Sequence, residues 1–143
     1  MPYATKQDLI DRFGSAELVQ LTDRTNRPPS TVDDLVVGRA VVDASALVDD
    51  YIGKVCSLPL NVVPPSMVKI SADIARYYLH GKSADKDSAV TRAYADAVSW
   101  LKDVSRGLVK LDVGGAAPAP APGSSGRVTG SEPVFTRDSL RGF

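Results

Sequence analysis

The chain has 143 residues, enough for one domain, with 43% hydrophobic and 24% charged residues, close to ordinary globular averages. Its 17 basic and 17 acidic residues balance, which argues against a protein that coats nucleic acid, because phosphate neutralisation needs a basic excess. A lone cysteine, Cys56, excludes an intramolecular disulfide, and no basic-then-apolar leader or apolar run of roughly 18 residues appears, so the expectation is a soluble, cytoplasmically made protein with no membrane contact.

Thr5 with Asp8 three residues on forms a capping-box start, followed by Leu9, Ile10 and Phe13 on one side of a short helix that Gly14 stops. Ser15 is placed to cap a second short helix through Leu18, Val19 and Leu21. Residues 23–30, with Pro28-Pro29, read as a loop. The next segment is the clearest helix. Thr31 is its expected cap, Asp33 and Asp34 suit its positive end, and Val37, Ala40, Val41, Ala44, Val48, Tyr51, Ile52 and Val55 recur at helical spacing. A helix over 32–54 is a rod of roughly 35 Å.

Leu58-Pro59-Leu60 through Pro64-Pro65 is an apolar but non-helical connector, with Pro65 suited to a first helical position. The helix it opens carries Val68, Ile70, Ala72, Ile74, Ala75, Tyr78 and Leu79, apolar on more than one side, so it belongs at the centre, and Gly81 ends it. Asp85 or Asp87 starts the last long helix, with Val90, Ala93, Tyr94, Ala97, Leu101 and Val104 in register and Gly107 as its stop. Leu108 to Leu111 read as a short strand. The fold class is mainly α, a bundle of about five helices.

Composition then changes abruptly. Residues 112–126 are a Pro/Ala/Gly/Ser linker that cannot build a packed core, and residues 127–143 regain apolar positions. The domain plan is therefore a helical domain over 1–111, a linker over 112–126 and a C-terminal docking arm over 127–143. A linker of this length reaches roughly 20 Å as a flexible coil and roughly 45 Å when Pro-Ala alternation extends it. That takes the arm out of its own domain. Val134-Phe135 suit addition as a strand to a partner's sheet edge, and Thr136 to Phe143 suit a single capped turn, with Phe135, Leu140 and Phe143 as anchors. A segment that orders only on a partner is a recurrent device in ordered assembly.

Candidate chemistry is sparse. His80, the only histidine, sits at a helix end beside Gly81, where a cation or polar cap serves structure. Cys56 has no activating neighbour in sequence and reads as a small buried hydrophobe. Asp43, Asp49, Asp50 and Asp73 lack metal-ligand spacing and read as solvated helix faces. No glycine-rich phosphate loop precedes a helix. Arg24 and Arg27, in the Pro28-Pro29 loop, are candidates for touching phosphate or an acidic partner, though two loop arginines are common on any surface. Tyr51, Tyr77, Tyr78, Tyr94 and Trp100 suit core packing or a subunit interface. Trp100 lies off the Ala97–Leu101–Val104 stripe, which makes it a candidate subunit-interface residue. No catalytic, cofactor-binding or metal-binding residue is assigned, and no cofactor is expected.

Several segments together carry a family resemblance. They are Ala44-Ser45-Ala46-Leu47-Val48-Asp49-Asp50-Tyr51-Ile52, Leu58-Pro59-Leu60 with Val63-Pro64, Asp73-Ile74-Ala75-Arg76-Tyr77-Tyr78-Leu79, Arg92 to Leu101, Gly107-Leu108, and the closing Phe135 to Phe143. In order and spacing the chain resembles the head–tail adaptor family of Mu-like bacteriophages over nearly its whole length apart from the linker. The resemblance implies a non-enzymatic neck protein of the virion. It would form a ring of twelve copies beneath the portal protein and be followed by a stopper or tail-completion protein, with double-stranded DNA passing through the lumen without sequence-specific binding. It also implies that the arm packs on the portal or a neighbour, so Val134, Phe135, Arg137, Leu140, Arg141 and Phe143 are the candidate interface residues. Val55-Cys56 depart from the family, whose members often carry a basic–aromatic pair just before Leu-Pro-Leu. A stopper or tail terminator, a small enzyme built on aspartates and His80, and a helical nucleic-acid-binding protein are the competing readings.

Overall fold

In the computed structural model, which describes residues 1–112, four of the five α-helices begin where a polar side chain or a proline settles the first free amides. Helix α1 (Lys6–Phe13) has the expected capping box: the Asp8 amide donates to Thr5 Oγ1 at 3.2 Å and the Thr5 amide donates to Asp8 Oδ2 at 2.7 Å. Helix α2 (Ser15–Thr22) follows at once. Ser15 is its first residue and not its cap; Gly14, at φ +87°, takes the cap position because only a residue without a Cβ turns the chain so sharply between two helices. The link from α2 to the next helix is held by Thr22, whose buried hydroxyl donates to Leu18 O at 2.7 Å and accepts from the Asp33 amide at 3.0 Å.

Helix α3 (Asp34–Ile52) starts two residues later than the spacing suggests and spans about 28 Å. Asp33, not Thr31, is its cap, accepting from the amides of Leu35 and Val36. The reason lies in the preceding loop. Asp23 accepts from the amides of Thr25, Asn26, Ser30 and Thr31, which commits Thr31 to the loop. The amides of Asn26, Ser30 and Thr31, with the Asn26 side chain, hold the Asp23 carboxyl well below the usual carboxylate range.

Helix α4 (Pro65–His80) carries Pro65 at its first turn and ends at Gly81, φ +50°, followed by one 3-10 turn at Gly81–Ser83. Helix α5 (Ala89–Ser105) is capped by Ser88, which accepts from the Thr91 amide at 3.2 Å; neither Asp85 nor Asp87 caps it. Asp85 instead offers its backbone carbonyl to the Ser88 amide and the Thr91 hydroxyl, closing the turn that sets the helix start. At the far end the Gly107 amide bonds Val104 O and the Leu108 amide bonds Asp103 O, the pair of bonds that terminates a helix on a left-handed glycine. The expected strand at Leu108–Leu111 is absent: the chain bends after that cap.

The described residues thus form five α-helices and no strand, as a mainly α fold requires. Helix α4 is central, touching α1, α2, α3 and α5. The core joins Leu9 and Leu18 to Val37, Ala44, Val48 and Ile52 of α3, Met67, Ile74 and Ala75 of α4, and Ala97 and Leu101 of α5. The alanines let the backbones approach closely. Each fully buried aliphatic side chain contributes about 1.5–3 kcal/mol. Tyr3 and Ala4 are also buried, although no periodicity marks them: the Tyr3 amide donates to Ser45 Oγ at 3.1 Å and its hydroxyl to Asp49. Burial first, then Asp49, pushes the Tyr3 hydroxyl pKa up.

Candidate interaction surface

Several of the titratable residues that sequence inspection singles out, His80, Cys56, Asp49 and Asp73, are spent on the fold. His80 Nε2 lies 3.2 Å from Glu17 Oε1, and Arg76 clamps the same carboxylate with Nε and Nη2 at 2.6 and 2.8 Å while its guanidinium stacks 4.4 Å over the Phe13 ring. Burial is the largest single influence on Glu17 and raises its pKa, but the hydrogen bonds and charges of Arg76 and His80 together bring it below its ordinary value. This junction pins α2 to α4. Cys56 is buried, and burial pushes its thiol pKa up, away from the reactive thiolate. The aspartates are not gathered: Asp49 accepts from Tyr3, Asp73 pairs with Lys69 at 2.7 Å, and Asp50 is exposed.

The aromatic residues divide between core and surface. The Tyr77 and Tyr94 rings stack at 4.1 Å and 13° between α4 and α5, with Tyr78 tilted against both. Trp100 is half-buried and packs against the core, so part of its ring serves the fold. Arg24 lines a shallow cleft of about 230 Å³ with Arg39, Asp43 and Tyr78, and Arg27 is not among its lining residues. Val134, Phe135, Arg137, Leu140, Arg141 and Phe143 lie outside the described residues.

What the structure brings to the surface is one face of α3. Leu35 is 73% exposed and Val42 59% exposed, and Gly38 and Ala46 are exposed on the same stripe. The opposite face, Val37, Ala40, Val41, Ala44, Val48 and Ile52, is the core stripe. Between the outer face and the N-terminal segment runs an apolar groove of about 430 Å³ that includes Ala4, Thr5, Val37, Gly38, Val41 and Val42. Asp34, which pairs with Lys6, stands at one end of the stripe, and Asp43 stands beside Val42. Sequence reasoning missed this face because it followed only the core periodicity. The signal was there in Leu35, Val42 and Ala46, apolar residues seven and four apart, one register off the core stripe.

A solvent-facing apolar surface of this kind is suited to binding another protein surface. No helix of the described residues is long and apolar enough to cross a membrane.

The family model described as Bacteriophage Mu, Gp36 matches residues 3–129. Gene product J of Escherichia phage Mu is 34% identical over 144 residues, taking in 100% of this chain and 99% of that protein. The Mu-like prophage FluMu protein gp36 of Haemophilus influenzae is 28% identical over 141 residues, 99% of this chain and 97% of its own length.

Proposed function

This chain belongs to the Bacteriophage Mu Gp36 family, and on that premise we propose that it is a head–tail adaptor, a structural protein of the phage neck. Copies of the helical domain form a ring of twelve beneath the portal protein. The C-terminal arm over 127–143 docks outside its own domain, and a stopper or tail-completion protein follows below. Double-stranded DNA passes through the ring without being read. A conduit gains nothing from a strongly basic lumen, which would hold DNA back, and the balanced charge of the chain accords with this.

The observation that carries the proposal is the exposed apolar face of α3. A ring component needs surfaces for its neighbours beyond what its own fold consumes, and it needs no catalytic group. The residues on which an enzyme would have been built are engaged elsewhere, Cys56 in the core and His80 on Glu17. The helical makeup of the described residues favours an adaptor over a stopper, for which a strand-rich fold is the expectation.

Cryo-electron microscopy of the intact virion tests the placement. The expected result is a ring of this chain in direct contact with the portal. A ring further down the neck would make the protein a stopper, and its absence from the particle would overturn a structural role altogether.

A further inference from the structure

Gly38 is the odd residue of α3. It sits inside a 19-residue helix, where glycine is among the least favourable choices. Its φ is not positive, so the backbone does not require it. A Cβ built on it meets nothing within 4 Å, so intramolecular packing does not require it either. The remaining use of a missing side chain there is close approach by something from outside, and Gly38 lies on the floor of the apolar groove, with Leu35 and Val42 exposed beside it.

We propose that this groove is the seat for the C-terminal arm of a neighbouring copy, with Phe135 or Leu140 entered over Gly38. Three observations favour this occupant. The arm carries Val134, Phe135, Leu140 and Phe143 within ten residues, too short a segment to bury them against itself. The groove, about 430 Å³, falls in the roughly 300–1,000 Å³ range of binding clefts. Charge also permits it: residues 127–143 carry Arg127, Arg137 and Arg141 against Glu132 and Asp138, and Asp43 stands beside Val42 of the groove. Asp43, at the end of the exposed stripe, forms no ion pair among the described residues.

Linker length puts a neighbour's groove within reach. Residues 113–126, extended by Pro-Ala alternation, reach about 43 Å, whereas a domain of this size has a radius of gyration of about 13 Å. A linker of that length is long enough for the arm to reach the groove of an adjacent copy. Arm-to-groove contact is head-to-tail, the kind that closes into a ring when the rotation permits. The inference rests on the adaptor reading for that closure, but the contact itself is between two copies and is measured without a portal.

The test uses the full chain with Phe135 replaced by the photo-reactive benzoylphenylalanine. Equal amounts of unlabelled and ¹⁵N-labelled protein are mixed at several hundred micromolar, irradiated and digested. The expected cross-links join the arm to the α3 peptide containing Gly38 to Val42, with mixed isotopes. Single-isotope cross-links alone would place the arm on its own domain and overturn the proposal, as would cross-links elsewhere or none. In the same format Gly38→Leu should cut the yield at least tenfold without lowering the melting temperature, since the added side chain meets no neighbour within the domain. An unchanged yield would show that the groove is not the seat. A portal-binding assay on the same preparations reports the adaptor role separately, so failure of one reading leaves the other standing.

Discussion

The two faces of α3 are both apolar, yet they are built differently. The inner face interleaves valine, isoleucine and alanine so that α4 and α5 approach closely, and every position on it has a partner. The outer face sets Leu35 and Val42 on either side of a glycine and leaves all three in solvent. The inner face is what the fold consumes. The outer face is what the fold leaves over, and it includes a residue that helix formation alone would not choose.

That contrast is open to measurement, beginning with the largest effect. Ile52→Ala on the inner face empties a fully buried site and should cost about 3 kcal/mol in chemical denaturation; a cost under 1 kcal/mol would mean that this face is not the core. Glu17→Gln breaks the Arg76 and His80 contacts that hold α2 on α4 and should cost about 1–2 kcal/mol at neutral pH. The folded Glu17 pKa is below its ordinary value of 4.5. Its contribution is therefore fully present above that value and lost as pH falls through the lower folded value, so the variant should show a shallower acid limb in a stability-versus-pH series. Gly38→Ala on the outer face should stabilise the domain by about 0.5–1 kcal/mol, read as a raised melting temperature. Leu35→Ala and Val42→Ala should change stability by less than about 0.5 kcal/mol while weakening self-association in sedimentation velocity.

Much of the fold was legible because it is local. The Thr5–Asp8 box, the stops at Gly14, Gly81 and Gly107, Pro65 at a first turn and the inner stripe of α3 all follow from residues a few positions apart. The misses arise where several candidates compete and a distant contact decides. Thr31 and Asp33 are both good caps, and Asp23, eight residues before Thr31, draws the Thr31 amide into its loop. Asp85, Asp87 and Ser88 compete in the same way, and the Asp85 carbonyl settles the turn in favour of Ser88.

The site was less legible. Glu17 meets Arg76 and His80 across 59 and 63 residues, with no pattern to announce it. Tyr3 and Ala4 are buried from a segment with no period to read. Leu35 and Val42 look in sequence like any other helix apolar residues, and only their exposure in the fold shows that they are surface. The resemblance pointed to a protein of Mu-like bacteriophages, and the family model and the phage Mu relative bear out that much. The adaptor role and the arm interface are proposals that go beyond that membership.

The most direct test of the adaptor role is co-sedimentation of the chain with portal rings from the same phage, full length beside a version ending at Gly123. The predicted result is saturable binding by the full-length chain, weakened at least tenfold by removal of the arm. Binding by neither version would contradict the account and move the protein down the neck, away from the portal.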